Sequence, residues 1–308
     1  MVSWLVERPV GDMRPGDHAW LAFANRDERE QVVGTFVYDG LTTAEKVVYV
    51  TDARPAELPG VLTRRIDPSP FAEIGQLRLI PRERACLRRG RFDPERMSRT
   101  LEHEIAVAFD EGYRAVRITT DLSWALDEPK GSERLLGCEG WFESAIAPST
   151  MAMAICQIDP RICTQDQLTA LRNTHEVLVK ANPAFDDGIL RITRTFDPHG
   201  LRLEGELDGA RHAVFAESLC SVTAAGRKVH LDFTELRFID LGALNLLAGH
   251  AMRMPAGSVL VLENVPPDLA NVIEMVGWDR FPGLSHSNSH GNSHGSSHGS
   301  SHGNGAAS

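Results

Sequence analysis

The stretch "HLDFTELRFIDLGALNLLAGH", His230 to His250, decides how the C-terminal part of the chain folds. A buried strand runs up to Asp240, and a helix, "LGALNLLAGHAMRM", begins just after it. The turn between them reads Asp-Leu-Gly-Ala, Asp240 to Ala243. A hydroxyl would be a natural residue in such a turn, and this one has none. Outward from it the pattern repeats. "ILRITRTF" alternates as a strand, "DPHG" is a strong turn and "LRLEGELD" is a second alternating strand. "ARHAVFAESLCSVTAAG" reads as a helix with a glycine stop, "KVHLDF" as a third strand and "SVLVLEN" as a fourth. "PPDLANVIEMVGW" is a last helix opened by proline. Strands alternating with helices from Ile189 to Leu284 predict a small sheet with helices packed on it.

A longer alternation precedes it. "HAWLAFA" leads into a helix, "NRDEREQVVGTFVYDGL", with Asn25 as its cap. "KVVYVTD" is the near-continuous apolar run of a buried parallel strand. "QLRLIP", "RAVRITTD" and "MAMAICQID" read as further strands, and "ERMSRTLEHEIAVAFDEGY" and "TQDQLTALRNTHEVLV" as helices. The fold class is α/β in both parts, with a mostly parallel sheet first and a smaller α/β domain second. The expected domains are residues 1–186 and 187–285, followed by a His/Gly/Ser-rich tail at 286–308.

That tail, "SHSNSHGNSHGSSHGSSHGNGAAS" from Ser285, has too little apolar surface to offset the entropy of ordering, so disorder is expected. His286, His290, His294, His298 and His302 recur in it and can chelate soft divalent metals. An engineered tag, a metal-storing tail and an inert linker all fit, and the reading places metal ligands nowhere else.

Composition excludes several classes. The chain has 308 residues, 42% apolar and 24% charged, with net charge −10. That sign argues against a nucleic-acid partner. The densest basic stretch, "RERACLRRGR" at Arg82 to Arg91, contains no aromatic and reads as a solvated face. No apolar run approaches the roughly 20 residues of a membrane span. The start, "MVSWLVERPVGDMRPGDH", does not look like a signal peptide, so a cytoplasmic location is expected. Five cysteines without a CxxC pair fit reduced core thiols, Cys156 in "MAMAICQID" among them.

Ligands of parallel sheets gather at the carboxyl ends of strands. That rule selects Asp52, Asp121 and Asp159, though aspartates also cap helices and form turns. The loop where a RecA-type ATPase would carry its phosphate-binding glycines, lysine and serine reads "ANRDERE" here, with neither glycine nor lysine. The Lys-Gly-Ser of "EPKGSER" has the wrong spacing and no strand before it. There is no GxSxG elbow and no HExxH, so no catalytic residue and no cofactor are expected. His18, Trp20, Trp124, Glu139 and His175 lie beside predicted strand ends and would suit a partly apolar pocket with a few polar contacts.

Two families share these patterns. "GDHAWLAFANRDEREQVVGTFVYDGLTTAEKVVYVTD", "DLSWAL", "ERLLGCEGWFE" and "AICQID", in this order over residues 12–185, resemble the MEDS domain, the sensory domain named after methanogens, methylotrophs and the dichloromethane regulator. That resemblance implies a RecA/KaiC-like fold lacking its P-loop, and an unidentified small-molecule ligand. "LRLEGELD", "VHLDFTELRFIDLGALNLLAGH" and "DLANVIEMVGWDRF" resemble the STAS domain of anti-sigma factor antagonists. In that family the turn reads Asp-Ser-Ser-Gly, and an anti-sigma kinase phosphorylates the second serine. Asp240 matches the aspartate, Leu241 the first serine, Gly242 the phosphorylated serine and Ala243 the glycine. The usual phosphorylation is therefore absent. A partner surface at Asp240, Leu241, Gly242, Ala243 and Asn245 is still implied.

The reading that follows is a non-enzymatic regulator whose sensory domain controls a STAS module that docks an anti-sigma factor or related serine kinase protein. A homodimer is left open. The competing readings are a STAS-type accessory subunit of a lipid or solute transport assembly, and an enzyme using Asp52, Asp121 and Asp159 with a metal.

Overall fold

The computed structural model describes residues 5–126, 131–146, 151–224, 227–277 and 283–287. The chain divides into two compact units, 1–186 with 193–199, and 187–192 with 200–308.

The first unit is built on a seven-stranded sheet. Its strands are β1 (Val6–Pro9), β2 (His18–Ala22), β3 (Lys46–Val50), β4 (Leu77–Ile80), β7 (Val116–Asp121), β8 (Ala152–Ile158) and β9 (Val177–Lys180). A separate hairpin pairs β5 (Leu87–Arg88) with β6 (Arg91–Phe92). The sheet order is β1-β9-β2-β8-β7-β3-β4, and every pairing in it is parallel. Its central strands β3, β7 and β8 are buried on both faces and are mostly apolar. Val48 and Val50 point to one core with Met97, Leu101 and Ile105 of the helix Pro94–Asp110. Val47 and Tyr49 point to the other, with Val32, Val33 and Phe36 of the helix Arg26–Thr42.

The expected helix from Thr164 through Val179 is corrected. It stops at Arg172, and Val177–Lys180 forms β9, inserted between β2 and β1. Thr164 and Gln167 close the helix start as a reciprocal capping box, whereas buried Val177 and Val179 alternate with half-buried Leu178 and Lys180. That period of two, carried by β-branched valines, overrides the helical reading. The edge strand β1 is a second element that the sequence reading lacked.

A six-stranded sheet is built mostly of second-unit residues. Its strands, in sheet order, are β10 (Phe185–Asp186), β11 (Leu190–Phe196), β12 (His199–Leu207), β13 (Lys228–Ile239), β14 (Val259–Glu263) and β15 (Leu284–Ser287). From β12 to β15 the pairings are parallel. Val229, Leu231 and Phe233 of β13 are fully buried, as are Phe215 and Leu219 of the helix His212–Val222 and Leu247 of the helix Leu241–Arg253. Strand β15 also corrects the tail boundary. Leu262 pairs with His286 and Glu263 with Ser287, so ordered backbone passes the expected limit at residue 285. His290, His294, His298 and His302 lie outside the described residues.

Candidate functional site

Strands β8, β7 and β3 are neighbours, so Asp159, Asp121 and Asp52 follow one another along the carboxyl edge of the first sheet. Each is engaged by an arginine. Asp52 accepts from the Arg82 backbone N–H at 2.9 Å and from its guanidinium. Burial opposes the ionisation of Asp52, but these bonds and the Arg82 charge outweigh it and hold the carboxyl below its usual range. Asp159 caps a short 3-10 turn and accepts two guanidinium bonds from Arg161 at 2.8 and 2.6 Å, which hold it low as well. Asp121 lies 3.3 Å from Arg29 and accepts from the Ser123 N–H at 3.0 Å. Among the described residues the three carboxylates form no cluster that could hold a metal ion. Trp124 joins the same edge, with the Arg82 guanidinium 5.1 Å over its ring and Phe92 edge-on at 5.6 Å. Arg82 thus links Asp52 to Trp124. The side chain of Glu139 lies outside those described.

Beneath this edge runs a buried polar network that the sequence reading missed. Gln157 of β8 donates to Thr119 Oγ1 at 2.8 Å and to the Tyr49 hydroxyl at 3.1 Å, and accepts from Arg29 Nε at 2.7 Å. Burial pushes the Tyr49 hydroxyl's pKa up, against the pull of the Arg29 charge and the Gln157 bond. The signal was a polar residue inside each buried strand, Tyr49 in "VVYV", Thr119 in "RITTD" and Gln157 in "AICQI". A buried polar group without a partner costs about 1–3 kcal/mol, so such residues predict one another.

The start of the helix Arg26–Thr42 occupies the place of a phosphate loop. Here one of its free amides and the backbone just before the cap are engaged internally. The Glu28 N–H donates to Asn25 Oδ1 at 3.1 Å, and the Ala24 N–H to Glu28 Oε2 at 2.7 Å. Burial raises the Glu28 pKa more than the Ala24 bond lowers it.

His18, Trp20 and His175 do converge, although not at the carboxyl edge. The His18 and His175 rings are 4.3 Å apart, and Trp20 stands edge-on to His175 at 5.5 Å. Cys156 joins them, with its Sγ 3.3 Å from His18 Nε2. All four side chains are buried. The sequence reading placed metal ligands only in the tail; among the described residues the first unit also brings together His18, Cys156 and His175, a donor set that could hold a metal ion.

In the second unit, Asp240 caps the helix Leu241–Arg253 by accepting from the Ala243 N–H at 2.8 Å. That bond is the main reason its carboxyl is held low, and His212, 2.7 Å away, adds to it. Gly242 has no room for a side chain in this arrangement. A Cβ there would stand 2.4 Å from His212 Cε1 and 3.2 Å from Nε2. The imidazole thus fills the space that the acceptor serine's side chain would need. His212 lies 28 residues upstream of Asp240, and no spacing pointed to it. Beside this turn Leu241 is 60% exposed and Phe238 50%; Asn245 is exposed one helical turn on, and Met252, 65% exposed, lies on the same stripe near the far end of the helix.

Residues 17–176 match the family described as the methanogen/methylotroph, DcmR sensory domain, MEDS, and residues 190–285 match the Mlab, STAS domain family. The search of curated proteins found no match. Two crystal structures are similar to the chain. One is a KaiC-like protein from Pyrococcus horikoshii OT3, with a TM-score of 0.39 and 15% identity over 58% of this chain and 79% of that one. The other is the flagellar accessory protein FlaH from Methanocaldococcus jannaschii, with 0.36 and 12% over 60% and 79%.

Proposed function

We propose, for a chain that belongs to the MEDS family and carries a C-terminal STAS domain, the role of a non-enzymatic signalling regulator. Its sensory domain answers a small molecule, and its STAS domain docks an anti-sigma factor or a related serine kinase protein. The observation that carries the reading is the turn at Asp240. The cap is intact, Phe238 and Leu241 present apolar surface to solvent beside it, and the phosphorylatable position is a glycine packed under His212. Exposed apolar residues beside an ordered turn suit protein docking. Phosphorylation would add between one and two negative charges at neutral pH and break up such a surface. With Gly242 at that position the surface stays in its binding form, and control passes to the sensory domain. Consistent with a freely diffusing regulator, no helix among the described residues is long and apolar enough to cross a membrane.

The test is a pull-down from native cells with the full chain as bait. A serine kinase of the anti-sigma type should be retained, and Leu241→Asp should release it. Retention of transporter subunits in its place would overturn the reading in favour of a transport accessory.

A further inference from the structure

The structure assigns a buried binding site for a soft d10 metal ion, Cu(I) or Zn(II), to His18, Cys156 and His175 in the first unit. Three adjacent strands build it. His18 opens β2, Cys156 lies on β8 opposite Trp20, and His175 stands two residues before Val177, which pairs with Ala19. Parallel register brings His18 and Cys156 to one sheet face, and the turn between Arg172 and Val177 carries His175 to the same side, its ring 4.3 Å from that of His18. The donor atoms all lie within 4.8 Å of one another, and His18 Nε2 to Cys156 Sγ is 3.3 Å. Zinc–nitrogen and zinc–sulfur bonds of about 2.0–2.3 Å place tetrahedral donors about 3.5 Å apart. The observed spacing meets that value or exceeds it by about one ångström, within the reach of side-chain rotation.

Two further features favour a metal over an ordinary packed core. His175 Nδ1 lies 2.8 Å from the Leu171 carbonyl oxygen, which only accepts, so Nδ1 carries the proton and donates it. That fixes the tautomer in which Nε2 is the basic, ligating atom, the usual outer support of a metal-bound histidine. The relative exposures of His18, Cys156 and His175 are 6%, 1% and 1%, and Ala154 and Leu171 belong to the apolar core around Cys156. One thiolate and two imidazoles select soft or borderline cations, and hard oxygen-seeking ions such as magnesium are excluded. A dry pocket also penalises net charge. Cu(I) with one thiolate is neutral, which makes it the better match of the two. On binding, the Cys156 thiol gives its proton to solvent and its sulfur takes the cation, while both imidazoles bind as neutral bases. No electron moves.

This site is independent of the partner-binding proposal, and its test involves no partner. Co(II), a spectroscopic substitute for zinc, is titrated into the reduced full-length chain, and thiolate-to-cobalt charge transfer is read in the near ultraviolet. The histidine-rich tail contains no cysteine and cannot produce that band. One equivalent of Co(II) per chain should develop it, and one equivalent of Zn(II) or Cu(I) should erase it. Cys156→Ser should bring the band to background, and His175→Gln should weaken cobalt binding at least ten-fold. Cys163→Ser and Cys220→Ser should leave it intact. Absence of the band from the wild-type chain overturns the proposal without recourse to any variant. So does a band that survives in Cys156→Ser.

Discussion

Replacing Gly242 with alanine sets two effects of similar size against each other. Gly242 is the second residue of its helix and lies outside the left-handed backbone region, so alanine is sterically allowed there by the backbone itself. Propensity alone predicts that Gly→Ala stabilises a helix by up to about 1 kcal/mol. The new Cβ, however, would sit 2.4 Å from His212 Cε1, more than 1 Å inside normal contact. The imidazole must swing away and lose its 2.7 Å bond to Asp240. A hydrogen bond between partly exposed groups contributes about 1 kcal/mol. Gly242→Ala in the wild-type chain should therefore be nearly neutral. In a His212→Ala background nothing remains to be displaced, and the same change should stabilise by up to about 1 kcal/mol. The coupling between the two sites is then about 1 kcal/mol. Hydrogen exchange of the 241–253 segment, followed by mass spectrometry in the full-length chain, measures it as about a five-fold difference in protection. If Gly242→Ala raises protection equally in both backgrounds, His212 does not fill that space and the account of the turn is wrong.

Three other outcomes are expected. Mg-ATP should neither stabilise the chain nor be hydrolysed, because the amides near the start of the helix Arg26–Thr42 serve Asn25 and Glu28; a saturable thermal shift with Mg-ATP would contradict this. Gly34→Ala should destabilise by about 1–3 kcal/mol, since its Cβ would meet the Gly60 Cα at 2.5 Å and backbone cannot step aside; a raised melting temperature, as propensity alone predicts, would refute the close packing. Burial, with help from the Arg253 charge, holds the His250 imidazole below its usual range. The unfolded chain takes up a proton near pH 6.5 that the folded chain resists, so stability should fall as pH drops below about 6.5. His250→Gln should lose less stability between about pH 7.5 and 5.5, as judged by melting temperature.

What could be read from the sequence was whatever depends on neighbours along the chain. Asn25 and Asp240 cap helices as their positions before apolar periodic runs require. Apolar runs such as "KVVYV" become strands covered on both faces. The rest needed register. "HEVLV" has too few residues to show whether its period is two or 3.6, and it becomes a strand because β1 and β2 flank it. His18 and Cys156 are 138 residues apart and meet only because β2 and β8 pair in parallel. His212 meets Gly242 across two elements of the second unit, so the glycine read as a lost serine is also a glycine kept free of side chain.

In both units a helix start is capped by the chain's own side chain. Asn25 takes the Glu28 amide at the first, with the Glu28 carboxyl group on the Ala24 amide just before it, and Asp240 takes the Ala243 amide at the second. A helix N-terminus attracts anions because its amides lack partners and its dipole is positive. Once a carboxyl group bonds those amides, an incoming phosphate meets fewer donors and a resident acidic group. At the second site it would also have to displace His212. On the reading proposed above, phosphate would find no prepared place at the "ANRDERE" loop and no hydroxyl at Gly242. What each unit still offers is different in kind. The first has a buried thiol and two imidazoles gathered beside its sheet, and the second has Phe238 and Leu241 exposed beside an ordered cap. A regulator assembled from such parts would take its input through the ligand of the first unit and give its output through the apolar surface of the second.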